Sequence, residues 1–475
     1  MKFDYLRVAQ SSVDIGDPHI CSDSLNRNSI INAVYEPLIK RGKPGYFIPL
    51  LAQSWSIEPD GLTWLFRIRD KVQFHNGKSL TARDVVASMK RIVDPSLGGA
   101  FGTQGVYASY ICDAAFSAPR PDTFQIKTNE PMADLLDLLS EMPIAPEDEL
   151  DKLPNEYIGT GPYLVGSRRR GELVLERNRR YWGKTGFVDE VSFLEVSDSK
   201  ARSEMVLDRD VNIGALIGIK DTGLHRDSDR TLVKSLESSL CIIFMMNAQE
   251  GACKDKCVRQ ALNYGLDIAE VIKKVKHEAA TRLNGYLTPH HFGYNPDTKP
   301  YPYDPDHAKS LLAEAGYADG LKLTIDLPTR MPDEALELGE MMKTYYAKIG
   351  VDVDLVSYSD RPGYAEMVRA KKIHDLCCFD SSPLSTFRVL REKIHSGFKG
   401  PWWEGYSNPE IDRLINEAQK TFETEKREKI YQQVFQLIRD DAPWLFLYRL
   451  TYYWAVSKEL RDWRPASTGL LKLAE

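Results

Sequence analysis

The segment 321–358 restricts the fold of this chain most, because its residue pattern changes from strand to helix and back to strand. LKLTIDLP (321–328) predicts a strand, ALELGEMMKTYYAKIG (335–350) predicts a helix, and VDVDLVSY (351–358) alternates apolar and polar residues like a half-buried strand. Upstream, CIIFMMNA (241–248) predicts a buried strand that is followed by two helical segments. This β-α-β-α-β order predicts an α/β lobe.

The length and charge of the chain narrow its class. A chain of 475 residues exceeds one ordinary core, so we expect two or three lobes. The net charge of −6 gives no reason to expect nucleic acid or an anionic membrane as a partner. No apolar run is long enough to span a membrane, and MKFDYLRVAQSS lacks the apolar core of a secretory signal.

Seven cysteines leave at least one thiol unpaired within the chain. Cys253 and Cys257 are four residues apart and could bridge across a helical turn or chelate a metal. The simpler expectation is small buried residues together with one or two disulfides.

The stretch VQFHNGKSLTARDVVASMKRIVDP (72–95) predicts a strand, a tight turn and a capped helix. Asn76-Gly77 tolerates the positive φ angles of a tight turn. Thr81 and Asp84 form a capping-box pair before an apolar helix face. His75 has no Cys, Asp or His at ligand spacing, so we interpret it as a residue at the edge of the turn.

Motif searches argue against an enzyme. The chain contains no GxSxG, HExxH, P-loop or dinucleotide fingerprint. Ser197–Lys200 matches a Ser-x-x-Lys pattern and Lys184–Gly186 reads KTG, but their order is wrong for a β-lactamase. The nine histidines show no metal spacing, so we expect no catalytic residue, no metal and no cofactor.

The stretch LAQSWSIEPDGLTWLFRIRDKVQFHNGKSLTARDVVASMKRIVDP (51–95) closely resembles the signature of the family 5 solute-binding proteins. These are the extracytoplasmic dipeptide, oligopeptide and nickel-complex receptors of ABC importers. The resemblance continues through GTGPYLVGSRRRGELVLERNRRYWGK (159–184), VRQALNYGLD (258–267) and YDPDHAKSLLAEAGY (303–317), and thus runs along almost the whole chain.

The resemblance implies an α/β, bilobal periplasmic-binding-protein fold with a hinge and an inserted subdomain. The implied parts are lobe I (1–55), the inserted subdomain (56–156), lobe I again (157–239), lobe II (240–449) and the C-terminal return to lobe I (450–475). It further implies secretion to the periplasm or lipid-tethering outside a Gram-positive membrane, and we favour a periplasmic monomer with its signal removed. Such a protein encloses a small solute between closing lobes and delivers it to permease subunits.

In dipeptide-type relatives, an acidic residue of the second lobe binds the ammonium group of the ligand. The resemblance places Asp380 at this position, Cys377 where relatives have Trp, and Phe387 at the downstream aromatic. Relatives also bind the ligand carboxylate through an Arg after the strand 321–328. Arg330 lies one residue past that position.

Two further segments supply candidate binding residues. GPWWEGYSNPE (400–410) contains Trp402, Trp403 and Tyr406, whose rings could stack on a ligand or pack in the core. The loop DPHICSDS (17–24) takes the place where relatives offer backbone to the ligand. Its candidate residues are Cys21, Ser22, Asp23 and Ser24.

We therefore expect a receptor for a short peptide or a peptide-like solute. The alternatives are the same role for a sugar, an opine-like sugar conjugate or a metal chelate, and, from another class, a secreted hydrolase. His395 would be the candidate ligand for a nickel complex. A hydrolase would need a nucleophile beside a base, and the sequence offers no such pair.

Overall fold

The computed structural model describes residues 3–22, 24–98, 106–184, 186 and 188–473. The chain divides into two compact units. The first unit comprises Met1–Gly42, Tyr46–Leu236 and Tyr452–Glu475, and the second comprises Lys43–Gly45 and Glu237–Thr451. Within the described ranges, no helix combines the length and apolar character needed to cross a membrane.

The elements of the first unit begin with a strand and alternate irregularly between strands and short helices. They are β1 (Phe3–Gln10), α1 (Leu25–Val34), β2 (Ile39–Arg41), β3 (Phe47–Pro49), β4 (Ala52–Ile57), β5 (Thr63–Ile68), α2 (Ala82–Ile92), α3 (Ala108–Ile111), β6 (Ala115–Arg120), β7 (Thr123–Lys127), α4 (Leu135–Leu139), β8 (Tyr163–Arg169), β9 (Glu172–Arg177), β10 (Val188–Glu195), α5 (Ser199–Leu207), β11 (Ile213–Gly214) and α6 (Ile219–Thr222).

Two larger sheets organise the first unit, in addition to a two-stranded sheet of β2 and β3. β1 is the parallel partner of both β10 and β11, with Val8 opposite Phe193 on one side and Ile213 on the other. β10, β9 and β8 continue this sheet in antiparallel order. β4, β5, β7 and β6 form a separate four-stranded antiparallel sheet. The side chains of Val8, Phe193 and Ile213 belong to one buried hydrophobic cluster.

The stretch 72–95 has the predicted turn and capped helix, but the predicted strand is wrong, because Gln73 forms only an isolated bridge with Ser79. Thr81 and Asp84 make the capping box of α2, and Gly77 adopts a φ of 89°. The His75 ring contacts the GTGPY segment. Its Nε2 lies 3.1 Å from the Gly161 carbonyl oxygen, and Nδ1 accepts a hydrogen bond from the Gly159 amide. Burial lowers the pKa of His75 to about 4, so the ring is neutral and holds two chain segments together.

One predicted helix is shorter than the sequence pattern indicated. The apolar spacing of NSIINAVYEPLIKR (28–41) predicted a helix that ends near Gly42, but α1 ends at Val34. Pro37 cannot continue a helix, and Ile39–Arg41 instead form β2. Glu36, just past the helix, accepts hydrogen bonds from Thr160, Tyr181 and Trp182.

The elements of the second unit follow a more regular α/β order. They are β12 (Thr231–Met246), which begins in the first unit, α7 (Lys256–Tyr264), α8 (Ile268–Lys276), β13 (Ala280–Arg282), α9 (Pro305–Glu314), β14 (Leu321–Pro328), α10 (Ala335–Ala347), β15 (Val351–Tyr358), α11 (Arg361–Arg369), β16 (Leu376–Ser381), α12 (Thr386–Lys393), α13 (Pro409–Lys420), α14 (Thr424–Asp441) and β17 (Trp444–Ser457), which ends in the first unit.

The predicted alternation of strands and helices in this unit is confirmed. β14 is parallel to β15 and to β16, and β16 is antiparallel to β12. The parallel neighbours β14 and β15 are joined by α10, as the pattern in 321–358 predicts. The domain boundaries implied by the resemblance, including those of the inserted subdomain, remain a prediction.

The expectation of one or two disulfides is wrong. All seven cysteines lie in the described residues and all are free thiols. Burial raises the pKa of the Cys253 thiol to about 12, so this thiol is protonated and packs as a small apolar side chain.

Candidate functional site

The end of β16 presents an aromatic ring and a carboxylate as sequence neighbours. Phe379 pairs with Ile243 of β12 and Asp380 pairs with Ile242. Because adjacent residues of a strand point to opposite faces of the sheet, the two side chains leave β16 in opposite directions. The apolar run LCCF explains why the strand is buried up to this point, and Asp380 is the first half-buried residue after it.

Four side chains form what we call the Phe379 cluster: Phe379, Trp402, Arg361 and Lys393. The rings of Phe379 and Trp402 have centroids 4.8 Å apart. The Arg361 guanidinium carbon lies 5.6 Å from the Phe379 ring centroid and the Lys393 ammonium nitrogen lies 5.9 Å from it. All four are buried. Two cations on one ring gain cation–π attraction, and they also concentrate positive charge at one place.

Arg361 is the first residue of α11 and is only 5% exposed. Its Nε donates a hydrogen bond to the Met331 carbonyl oxygen at 3.2 Å, and its guanidinium also lies over the Tyr364 ring. Nη1 is buried and has no hydrogen-bond partner. Within the described part of the chain, no carboxylate forms an ion pair with Arg361, so its charge is held without a counter-ion.

The helix α12 brings further charge toward the same region. Arg388 and Glu392 form an ion pair of 3.0 Å one helical turn apart, and both are buried. Lys393 ends the helix. The N-cap Ser385 accepts a hydrogen bond from the Arg388 amide, which fixes where the helix begins.

Asp380 lies among other charged groups of the second unit. Burial is the main reason why the pKa of the nearby Cys241 thiol rises to about 12. The charge of Asp380 raises this pKa further, whereas Arg449 and Lys393 lower it. The predicted acidic residue therefore lies in a region where positive side chains are close.

Arg330 and Arg361 differ in solvent exposure, although Arg361 contacts the residue that follows Arg330. Arg330 is exposed and contacts no described residue by a hydrogen bond or an ion pair. The next residue, Met331, contacts Arg361 through its backbone carbonyl. Arg361, by contrast, is the first residue of α11. A cation in the first turn opposes the helix dipole and therefore suggests a role other than stabilising the helix.

The three aromatic candidates occupy different environments. Trp402 belongs to the Phe379 cluster. The Trp403 Nε1 donates to the Tyr406 carbonyl oxygen at 2.6 Å, and the Tyr406 hydroxyl donates to the Asp441 Oδ2 at 2.6 Å. Burial raises the pKa of Tyr406 above its ordinary value, so this hydroxyl remains a donor. The structure thus brings Trp402, but not Tyr406, to Phe379.

The first-unit candidates surround the start of α1. Ser24 is the N-cap and its Oγ accepts a hydrogen bond from the Arg27 amide. The Ser22 carbonyl oxygen accepts a hydrogen bond from the Asn28 side chain at 2.6 Å. Cys21 is buried. Asp23 lies outside the described residues.

Comparison with known proteins identifies the family of this chain. The model of bacterial extracellular solute-binding proteins, family 5, matches residues 47–379. The chain belongs to this family. The heme-binding protein A of Haemophilus influenzae is 26% identical over 463 residues, which cover 90% of this chain and 84% of that protein. The glutathione-binding protein GsiB of Escherichia coli O1:K1 / APEC is 23% identical and covers 95% of this chain and 90% of that protein.

The fold is shared with solved members of the family. The periplasmic binding protein DppA from Helicobacter pylori, solved with the peptide STSA, aligns with a TM-score of 0.79 and 23% identity, covering 99% of this chain and 96% of that one. The expected fold class, α/β with the bilobal periplasmic-binding-protein architecture, is therefore confirmed for this family 5 protein.

In the family 5 protein, Ser203 and His225 form a hydroxyl–imidazole pair that the sequence did not reveal. The Ser203 Oγ lies 2.6 Å from His225 Nε2, and His225 Nδ1 lies 2.8 Å from the Thr231 Oγ1. Ser203 has no exposed surface, and the third group is a hydroxyl rather than a carboxylate. This arrangement packs α5 against its neighbours and lacks the accessible nucleophile of a hydrolase.

Both ring nitrogens of His395, the candidate nickel ligand, have polar partners within the protein. His395 Nδ1 accepts a hydrogen bond from the Gly397 amide, and Nε2 lies 3.2 Å from the Asn416 Oδ1. Over the described ranges, no group of three or more His, Cys, Asp or Glu side chains could hold a metal ion.

Proposed function

We propose that this chain is the receptor of an ABC importer and captures a short peptide or a peptide-like solute. Membership of family 5 supports the receptor role. The observation that carries the choice of solute is the fold shared over 99% of this chain with a binding protein solved with a peptide. In this proposal the protein acts as a monomer in the periplasm, passes its solute to permease subunits and performs no chemistry on it.

The second unit supplies the groups that a peptide-like solute requires. Asp380, half-buried at the end of β16, offers a carboxylate to an ammonium group, as the resemblance implies. An acceptor of opposite charge holds an ammonium group most strongly, because hydrogen bonds between charged groups are about twice as strong as those between neutral groups.

The first test is a thermal-shift screen of the purified protein against dipeptides, tripeptides, neutral sugars, opines and metal chelates. We expect a peptide or peptide-like compound to raise the Tm, because a ligand at 100 times its Kd adds about 2.7 kcal/mol of stability. The choice of peptide is wrong if peptides of every length leave the Tm unchanged while a sugar conjugate or a metal chelate raises it.

Asp380→Asn tests the ammonium contact. We expect the affinity for an amine-bearing hit to fall about 10- to 100-fold, since a hydrogen bond between charged groups contributes roughly 1.5–3 kcal/mol. Calorimetry with the hit and with its N-acetylated form measures the effect, and the two forms should bind the variant almost equally. Asp352→Asn, at an exposed position of β15, is the matched control. Equal affinity of wild type and Asp380→Asn for the amine would exclude this role.

A further inference from the structure

We propose that the first unit contains a second binding site, separate from the solute site, which takes a phosphate group that keeps one proton. The site is a cavity of about 180 Å³. Its polar lining consists of Arg209, Asn212, Arg230, Ser457 and Glu459, and two valines complete it. Pockets for drug-sized ligands have volumes of about 300–1,000 Å³, so this cavity suits inorganic phosphate or the terminal phosphate of a larger molecule.

Three segments of the chain meet at this cavity: the loop between α5 and β11, the turn before β12 and the end of β17. Two backbone hydrogen bonds join them. The Ser457 amide donates to the Asn212 carbonyl oxygen and the Lys458 amide donates to the Arg230 carbonyl oxygen, each at 2.8 Å. The lining is therefore held in place by the backbone of the first unit.

The cavity lies at the ends of the two strands that connect the units. β12 enters the second unit at Glu237, and β17 leaves it after Thr451. The stretches 231–236 and 452–457 separate this boundary from the cavity, and six residues of strand span about 20 Å. Since the whole lining belongs to the first unit, this site differs from the candidate solute site around Asp380.

The hydroxyl of Ser457 points to a ligand. Ser457 is 9% exposed, and its Oγ is buried without a hydrogen-bond partner. Because Ser457 follows Ala455 by two residues, both side chains leave β17 on the same face. Ala455 packs with Val206 and Val211, the two valines of the cavity. The hydroxyl therefore faces the cavity, and a phosphate oxygen there would supply the missing acceptor.

Two guanidinium groups line the same cavity with little compensation of their charge. In the described part of the chain, Arg209 makes no ion pair and no side-chain hydrogen bond. Arg230 has the carboxylate of Asp229 at 3.7 Å, and both side chains are exposed. The Asn212 Oδ1 accepts from the Arg7 amide at 2.8 Å, which leaves Nδ2 as a donor. Two planar cations, an amide and a hydroxyl match the oxygens of a phosphate.

Glu459 gives the site a preference among oxyanions. It is the one carboxylate among the lining residues that the structure describes, and it is exposed. A carboxylate accepts a hydrogen bond, but it repels an anion that has no proton to donate. At neutral pH phosphate keeps at least one proton, whereas sulfate keeps none. The lining therefore favours phosphate over sulfate, although both ions are tetrahedral.

The experiment measures the Tm and the calorimetric Kd with inorganic phosphate, and with sulfate and chloride at the same ionic strength. It compares wild type, Arg209→Gly and the control Lys71→Gly. Both positions are exposed cations of the first unit with positive φ, 67° and 64°, which glycine adopts without strain. We expect phosphate to raise the Tm of wild type and Lys71→Gly more than sulfate does. Arg209→Gly should weaken phosphate binding about 10-fold or more.

Two further variants test the uncharged donor and the carboxylate. Ser457→Ala removes a hydroxyl that makes no hydrogen bond, so the Tm without phosphate should not fall, while the affinity for phosphate should. The reverse result, a lower Tm with unchanged affinity, would contradict the inference. Glu459→Gln should bring the affinity for sulfate close to that for phosphate, and an unchanged preference would exclude the role of Glu459.

Equal Tm shifts for phosphate and sulfate in wild type and in every variant would be a general salt effect and would overturn the inference. Phosphate binding that persists in both Arg209→Gly and Ser457→Ala would place the ion elsewhere and overturn it too. Glycerol phosphate and inorganic phosphate, compared at pH 5 where both keep a proton, distinguish a larger ligand from the free ion. A solute found by the thermal-shift screen should bind Arg209→Gly like wild type, so this inference and the proposed function fail independently.

Discussion

Replacing Arg202 by methionine is expected to lower the free energy of unfolding of the first unit by about 3–5 kcal/mol. Arg202 is 4% exposed. Its Nε and Nη2 donate to the carbonyl oxygens of Ala215 and Leu216, each at 2.9 Å, and its Nη1 donates to those of Val196 and Ser197 at 2.7 and 2.8 Å. Methionine fills much of the volume but leaves the buried Ala215 carbonyl oxygen and three part-buried carbonyl oxygens without this donor. A buried acceptor without a partner costs about 1–3 kcal/mol.

Urea denaturation measures the global effect, and hydrogen exchange locates it. The carbonyl groups precede α5 and follow β11, so we expect the amides of 196–217 to lose protection first. Lys200→Met on the same helix is the control, because Lys200 is exposed and forms only a surface pair with Glu204. Such a pair contributes about 0.3–0.5 kcal/mol. An unchanged denaturation midpoint for Arg202→Met would show that water replaces the guanidinium.

Removing the charge of Glu404 is expected to stabilise the second unit at alkaline pH, unlike most changes of a buried polar residue. Glu404 is 4% exposed, and neither carboxyl oxygen has a hydrogen-bond partner. The Lys371 Nζ lies 3.8 Å from Oε1, beyond hydrogen-bond range. Its nearer contacts are the carbonyl oxygens of Gly400 and Pro401, to which it donates at 3.1 and 2.7 Å. Loss of Glu404 therefore leaves Lys371 with its acceptors.

The pH dependence follows from the pKa of Glu404. Burial raises this pKa to about 8, from an ordinary value of 4.5. Between these values the folded chain binds a proton that the unfolded chain has lost. Stability therefore falls as pH rises from about 5 to about 8, and it stays low above pH 8. Glu404→Gln removes this titration.

We expect wild type and Glu404→Gln to have similar Tm values at pH 5. At pH 9 the variant should be more stable by about 1–3 kcal/mol. For a unit of this size, each kcal/mol of added stability raises the Tm by roughly 2–4 °C. Calorimetric scans from pH 5 to 9 measure the difference, with Glu425→Gln at an exposed position of α14 as the control. Parallel curves for wild type and Glu404→Gln would mean that the carboxylate is solvated.

Local elements were largely predictable, since their signals lie within a few residues. The capping pair of Thr81 and Asp84 and the strand–helix–strand order of 321–358 are both present. The end of α1 was missed because its apolar spacing continues into a segment that Pro37 excludes from a helix. Where apolar spacing predicts a helix and a proline opposes it, the spacing alone does not show where the helix ends.

The candidate site was predictable only in part. The resemblance led to the strand end at Asp380 and to the loop after β14, and both lie in the second unit. It led also to Arg330, which is exposed, because a count along the chain does not show whether a guanidinium is buried. The same limit applies to Trp402 and Tyr406, which are close in sequence and pack against Phe379 and Asp441 respectively.

The sequence by itself determined the family, the class of fold and the place of the secondary structure, because periodicity, capping and family motifs are properties of neighbouring residues. Only the tertiary structure decided which charges lack a partner. Arg361 and Glu404 are ordinary surface residue types by composition, and they become buried because distant elements pack over them. The free energy of a charge depends on its solvation and its counter-ions, and both are set by residues far away in sequence.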